Sequence, residues 1–380
     1  MRKVLYITGT RADYGLMRST LEAIESREDL NLLVVVTGMH LMPEFGGTAK
    51  DVAMDGFRTV LAPAPFHNDS KMAATVFLSK FLGQLTAIVE REAPQEILLL
   101  GDRAEMLAGA IVGSYLGIPT FHVHGGDISS TVDEHVRHAI TKLSHFHLPA
   151  TPLSAERILR MGEEPWRVHI VGSPSLDGIG EIRPLGAEER KIYGLGEEED
   201  YLVLAQHPVS ADAGSAAEQI AGTIEALVRD GRRTFVIYPN VDAGGRGMIR
   251  IIEERCRTPQ FTTFKSLPRD AYLRLLSGAS ALVGNSSSGI VEASFLGTPF
   301  INVGDRQRGR ERGGNVVDVG YGTDEVLGGL MAIESSDFQR RLRETNSPYG
   351  DWKTGERIAE LLASIQLKPG VTQKILSYNI

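Results

Sequence analysis

The sequence predicts an α/β protein made of two open, parallel-sheet domains, each Rossmann-like in plan. Three observations carry this. Short β-branched runs alternate with longer segments of helical period, the pattern of parallel βαβ units. At 380 residues the chain exceeds one ordinary core, and about 150 residues per domain suggests two. Between the α/β stretches lies "VGSPSLDGIGEIRPLGAEERKIYGLGEEED", 171–200, whose Gly, Pro and charge mark a domain boundary.

In the first half, strands fit "KVLYIT" (3–8), "LLVVVT" (32–37), "EILLL" (96–100) and "IPTFHV" (118–123). Helices fit 14–26, 71–92, 104–116 and 133–145. In the second half, strands fit "YLVLA" (201–205), "RTFVIY" (233–238), "ALV" (281–283) and "PFINV" (299–303), with helices at 215–229, 247–256, 269–277 and 288–296. "GERIAELLASIQ" reads as an amphipathic closing helix. The expected division is an N-terminal domain over 1–172, a C-terminal domain over 173–353, and a last segment, 354–380, joining the first.

Composition narrows the function. A hydrophobic content of 42% and a charged content of 23% are those of a soluble globular chain. A net charge of −8 argues against nonspecific binding to nucleic acid or an anionic membrane. No apolar run approaches the roughly 20 residues of a spanning helix, and no signal-like segment opens the chain. Cys256 is the one cysteine, so no intrachain disulfide or cysteine-cluster zinc site can form. A cytoplasmic protein is the expectation.

In open α/β sheets, ligands sit beyond the carboxyl ends of the strands. Those ends here read "TGTRADYG", "GDRAE", "HVHGGD", "QHPVS", "YPNVDAGG", "GNSSSG" and "GDRQRGR", mixing glycine with Arg, His, Asp, Asn and Ser. Such loops fit a ligand cleft between two domains. In "LVGNSSSGIVEASFLGTP" (282–299), small residues let backbone N–H groups approach an anion. A helix starting near Ser288 adds its N-terminal partial charge. Ser286 and Ser287 can donate to phosphate oxygens, Gly289 keeps the backbone open, and Glu292 can accept from ribose hydroxyls. The bland alternative is a capping turn with a solvated glutamate.

Arg11 follows the first strand, and Arg306, Arg308, Arg310 and Arg312 follow the last. Arginine forks suit pyrophosphate. Arg306, nearest the strand, is the functional candidate, and the other three read as a solvated face. Six of the ten histidines lie between 122 and 147, but their spacing matches no metal-ligand set. His122 and His124 are expected on one face of a strand. Asp102, after a buried strand and before Arg103, is a candidate for proton transfer, whereas Asp133 and Glu134 open a helix, where acids are ordinarily caps.

"TGTRADYGLM", "TGMHL", "GDRAEM", "HVHGGD", "DEHVRHAITKLSH", "GSPSLD", "QHPVS", "YPNVDAG", "GNSSSGIVEA", "GTPFINVGDRQRGR" and "NSPYGDW" together resemble the UDP-N-acetylglucosamine 2-epimerases, most closely the hydrolysing, sialic-acid-pathway branch. The resemblance implies a two-domain fold of the GT-B type with its active site in the interdomain cleft. It implies anti elimination of UDP across C-1 and C-2 to a glycal. Hydration then releases N-acetylmannosamine, with no metal or redox cofactor. Carried over by position, Arg11, His207, Ser286, Ser287 and Arg306 approach the diphosphate, Asn240 the nucleotide and Glu292 the ribose. Asp102 and Asp133 fall at the family's catalytic acids, with Arg103 beside the sugar. Where many relatives carry glutamate this chain has His124, and an imidazole suits either a base or a polarising role. Asp127 stands where that branch often has glutamate, and Leu16 replaces a lysine of some relatives.

The resemblance also implies a homo-oligomer, for which the apolar helices at 71–92 and 104–116 are available, although a core role is simpler. The same motifs suit a UDP-linked 2,4-diacetamido trideoxy sugar as substrate. Less favoured are a glycosyltransferase on the same architecture, a non-hydrolysing epimerase and a non-catalytic nucleotide-sugar-binding protein.

Overall fold

The computed structural model describes residues 1–43, 46–64, 71–128, 132–209, 212–239 and 243–377, with the side chains of Lys71, Val132 and Asp133 outside the description. The chain forms two compact units. The first comprises Met1–Ile128, Val132–Asp177 and Tyr349–Ile380, and the second centres on Gly178–Pro348.

In the first unit six strands make one parallel sheet: β1 (Arg2–Thr8), β2 (Leu30–Val36), β3 (Thr59–Leu61), β4 (Glu96–Leu100), β5 (Thr120–Val123) and β6 (Phe146–Leu148). Their spatial order is β3-β2-β1-β4-β5-β6. Side chains alternate across this sheet, so both faces are apolar. Val4, Tyr6, Leu32, Val34 and Leu98 point one way, onto Met17 and Leu21 of α1 (Arg11–Glu25) and Val52 of α2 (Ala49–Met54). On the same face lie Ile358 and Leu362 of the closing helix, Thr354–Ser364. Leu5, Ile7, Leu33 and Leu99 point the other way, onto α3 (Lys71–Glu92) and α4 (Ala104–Leu116).

The second unit repeats the plan with β7 (Tyr201–Ala205), β8 (Arg233–Ile237), β9 (Phe261–Phe264), β10 (Ala281–Gly284), β11 (Phe300–Val303) and β12 (Val316–Val319), in the order β12-β11-β10-β7-β8-β9. Counted from its own first strand, this is the same 3-2-1-4-5-6 order. Both units are therefore Rossmann-like, with switch points between β1 and β4 and between β7 and β10.

The eight central strands match the sequence reading to within a few residues. The four it passed over, β3, β6, β9 and β12, are the four sheet edges. Each has only three or four residues, and β3, β9 and β12 are partly exposed, so neither length nor an unbroken apolar run marks them.

One expectation needs correcting. By length and composition α3 is apolar enough to cross a membrane: Met72–Glu92 includes a window of mean hydropathy 1.5. Its Phe77, Phe81, Leu85 and Ile88, spaced one helical turn apart, are buried against the first sheet. Its other face carries Thr75, Ser79, Lys80, Gly83 and Glu90.

Candidate functional site

The carboxyl ends of β1, β4 and β5, neighbours in the first sheet, carry the loops 9–10, 101–103 and 124–127. At the end of β1, Asp13 accepts from Thr8 Oγ1, from the amides of Gly9 and Thr10 at 3.1 and 2.8 Å, and from Thr10 Oγ1 at 2.9 Å. This capping box starts α1 and fixes the turn. Arg11, the first residue of α1, pairs with Asp51 at 3.3 Å. His40, lowered to about 4 by burial, lies 2.9 Å from Thr8 Oγ1 and 2.7 Å from Thr48 Oγ1.

At the end of β4, Asp102 is partly open to solvent and accepts from Arg137 Nη2. Arg137 lies on α5 (Val132–Leu143) and is almost wholly buried; its Nη1 donates to the Asp127 carbonyl at 2.8 Å. One arginine thereby joins the ends of β4 and β5 through charge-assisted bonds. Arg103 Nε lies 3.4 Å from the buried Glu105 carboxylate. Glu105 in turn fills the space over Gly9, where a Cβ would stand 2.2 Å from its Oε1.

His122 and His124 do not share a face. β5 ends at Val123, and His124 has φ +60, one of two non-glycine residues in that region among the described residues. The left-handed turn takes His124 off the strand line. Its Nδ1 lies 2.8 Å from Asp127 Oδ2 and its Nε2 lies 2.9 Å from Ser173 Oγ. His122 remains in the strand. Burial lowers it to about 3, and its Nε2 donates to the Gly101 carbonyl at 2.7 Å, tethering the loop that carries Asp102. His145 accepts from the Thr120 amide, and His147 meets Glu163 at 2.9 Å. His122 also meets Thr141 Oγ1 at 3.2 Å, so each of these rings is engaged by protein groups.

In the second unit the ends of β7, β10 and β11 are adjacent. Asn285, fully buried, accepts from the His207 amide at 2.7 Å and donates to the His207 carbonyl at 2.9 Å. The Asn285 carbonyl accepts from Arg306 Nη1 at 3.1 Å and from Gln307 Nε2 at 2.9 Å. His207 is lowered to about 3, chiefly by burial and then by the nearby Arg306 charge. Beside it, the buried Gln206 amide has neither end paired among the described residues.

The serine loop differs from its expected form. Ser287–Gly289 is a 3₁₀ turn capped by Ser286, and the α-helix begins only at Glu292. The helix terminus expected near Ser288 is therefore displaced to Glu292, and the Ser288 and Gly289 amides donate within the turn, to Ser286 Oγ at 3.4 Å and to the Ser286 carbonyl at 3.1 Å. Ser287 is exposed, Ser286 is half-buried, and Ser288 Oγ pairs with Tyr272 Oη at 2.6 Å. Gly289 lies against Phe300, where a Cβ would stand 2.4 Å from the ring. Glu292 is not solvated but buried, with Oε1 3.6 Å from Arg269 Nη1. In the arginine run, Arg312 grips both oxygens of Asp318 at 2.6 and 2.7 Å.

Asn240 and the Asp133 side chain lie outside the described residues. Arg137, Asn285, Ser173 and Glu105 were passed over by the sequence reading. Arg137 sits in "DEHVRHAITK" one turn beyond Asp133, and a buried cation there was its only local signal.

A family model described as UDP-N-acetylglucosamine 2-epimerase matches residues 22–363. The UDP-N,N'-diacetylbacillosamine 2-epimerase (hydrolyzing) of Legionella pneumophila is 38% identical over 380 residues, covering 100% of both chains. The UDP-N-acetylglucosamine 2-epimerase of Neisseria meningitidis serogroup B is 35% identical, covering 95% of each. Among solved structures, the Methanocaldococcus jannaschii UDP-GlcNAc 2-epimerase in complex with UDP-GlcNAc and UDP superposes with a TM-score of 0.76. That match has 18% identity and covers 95% of this chain and 99% of that one, so it speaks to the fold. With the family model spanning most of the sequence and these identities running end to end, the chain belongs to the UDP-N-acetylglucosamine 2-epimerase family.

Proposed function

We propose that the chain is a hydrolysing 2-epimerase of a UDP-linked 2-acetamido sugar. Anti elimination removes UDP across C-1 and C-2, and water then adds to the glycal with inversion at C-2. Elimination needs a proton acceptor at a weakly acidic C–H and stabilisation of the departing diphosphate, and preorganised donors often supply the larger part. The observation that carries the reading is the contrast between the two switch points. The first unit gathers proton-transfer groups, Asp102 on Arg137 and His124 on Asp127. The second gathers donors: the Ser286 and Ser287 hydroxyls and Arg306.

In this reading the second unit holds UDP, with His207 and Gly289 shaping the serine turn and Glu292 and Asn240 on the nucleoside. Arg11 adds charge to the diphosphate. Asp102, His124 and Asp133 serve the sugar, with Arg103 beside it. The hydrolysing outcome is supported by the 38% identical relative, whose name carries that word.

That relative also favours the diacetamido trideoxy sugar as substrate, while the 35% identical one favours UDP-N-acetylglucosamine. Both UDP-sugars incubated separately with the protein, with free UDP and free sugar quantified, test the reading. Release of UDP and a 2-epimerised free sugar from at least one supports it, and the faster substrate identifies the sugar. A UDP-linked epimer, or no release from either, contradicts it.

A further inference from the structure

Three side chains from separate segments meet around one imidazole. His124 lies on the turn after β5, Asp127 three residues on, and Ser173 49 residues away in sequence. Asp127 Oδ2 is 2.8 Å from Nδ1, and Ser173 Oγ is 2.9 Å from Nε2. All three are shielded: Ser173 has no exposed surface, Asp127 is 3% exposed and the His124 side chain 16%. The Asp127 carboxylate is itself anchored, since Oδ1 accepts from Ser154 Oγ at 2.9 Å. Its backbone carbonyl takes Arg137 Nη1, and the preceding carbonyl, of Gly126, takes Arg157 Nη1 at 3.1 Å.

The donor and acceptor count fixes the proton positions. An ionised carboxylate can only accept, so Nδ1 carries hydrogen and, in the neutral ring, Nε2 is the acceptor. The Ser173 hydroxyl then donates to Nε2 and accepts from Ser175 Oγ at 2.8 Å. In the charged ring Nε2 also carries hydrogen, and a turn of the Ser173 hydroxyl makes it the acceptor. Both protonation states are satisfied without moving a heavy atom. The left-handed backbone at His124 costs on the order of 1 kcal/mol and persists only because its surroundings hold it there.

We infer that Asp127 is a positioning residue that makes His124 the proton acceptor at C-2, with the Ser173 hydroxyl as the resting partner of Nε2. The inference rests on the proposed epimerase activity. In the step, the C-2–H bond breaks and its proton moves to Nε2. The C–H electron pair forms the C-1=C-2 bond, and the C-1–O bond breaks with its pair leaving on UDP. The Ser173 side chain rotates away from Nε2 to admit the substrate, then returns to accept from the new Nε2–H. Asp127 balances the imidazolium charge, the part a carboxylate plays beside histidine in acyl transfer.

The test compares the unaltered protein with Asp127→Asn and Ser173→Ala, using protiated substrate and substrate deuterated at C-2. Asp127→Asn is expected to lower kcat by ~100-fold or more, the range of acid–base contributions, with KM nearly unchanged. The deuterium isotope effect on kcat is expected to rise, because C–H cleavage becomes the slow step. Ser173→Ala is expected to lower kcat by about tenfold with a similar rise. A merely structural role would move stability and KM but not the isotope effect. UDP affinity, measured on each variant, reports whether the fold is kept. If Asp127→Asn fails to fold, Ser173→Ala decides the matter by the same criterion. Unchanged kcat and isotope effect in a folded variant overturn the inference alone; absence of turnover in the unaltered protein overturns the epimerase reading with it.

Discussion

The Asn285 side chain forms a closed two-point bond with the backbone of His207, accepting its amide at 2.7 Å and donating to its carbonyl at 2.9 Å. The two residues lie 78 positions apart, at the ends of β10 and β7, and the bond joins those ends across the switch point of the second sheet. Removing the side chain strands two backbone groups of a half-buried residue, at a cost of about 1–3 kcal/mol. Asn285→Ala should therefore lower the denaturation midpoint. It should also weaken UDP binding by about tenfold or more, since the backbone carbonyl at 285 that holds Arg306 loses the side-chain clasp that fixes its place. Calorimetric titration with UDP checks the second effect. Unaltered affinity would separate this clasp from the nucleotide.

Glycine is required at both ends of the serine loop for different reasons. Gly284 has φ +126, and a Cβ would stand 2.3 Å from the Ala205 carbonyl oxygen, whereas Gly289 lacks only room against Phe300. Gly284→Ala should cost about 2–4 kcal/mol and displace the turn. Gly289→Ala should be milder, because the neighbouring ring can shift while a backbone carbonyl cannot. Urea denaturation of both variants gives the order, and the reverse order would contradict the geometry.

Asp102 is held by Arg137, so the two should fail differently. Asp102→Asn keeps the shape but not the charge, and UDP release should fall ~100-fold or more while UDP affinity stays. Arg137→Met leaves Asp102 unheld and strips a partner from the Asp127 carbonyl, which should also lower stability. Turnover of Asp102→Asn within threefold of the unaltered protein would remove Asp102 from the chemistry.

Acid should destabilise the fold before carboxylates titrate fully. Burial lowers His122 and His207 to about 3, and His40 and His145 to about 4. An unfolded imidazole titrates near 6.5, so between about 6.5 and 4 the unfolded chain binds protons that the folded chain does not. Stability then falls with falling pH, by at most about 1.4 kcal/mol per pH unit for each histidine. Glu96, raised to about 8 by burial, works in the opposite sense as pH falls from about 8 to its ordinary 4.5. Four histidines outweigh it. Urea midpoints should drop between pH 7 and pH 5, and less steeply in His122→Gln; a flat profile would show that these rings are protonated in the folded state.

Much of the architecture was legible because a parallel strand covered on both faces is a short, largely apolar run, as the eight central strands are. The edges were not, because three half-open residues such as "TVL" at 59–61 resemble any loop. The strand-end positions of Asp102, Ser286 and Arg306 were legible, since each follows an apolar run by two or three residues. His124 was misplaced onto the face of His122, since nothing local signals a left-handed histidine. Asn285 and Ser173 owe their roles to partners 78 and 49 residues distant, and Arg137 to one 35 residues away. Contacts of that range are written in the fold rather than in any short stretch of sequence.

In the proposed reaction a C-2 proton is lost and regained during release of UDP. Incubating the protein with its UDP-sugar in heavy water and examining the free sugar by proton NMR tests it most directly. One solvent deuterium at C-2 of the epimerised product is expected for each UDP released. UDP released with the C-2 hydrogen of the substrate retained would contradict it.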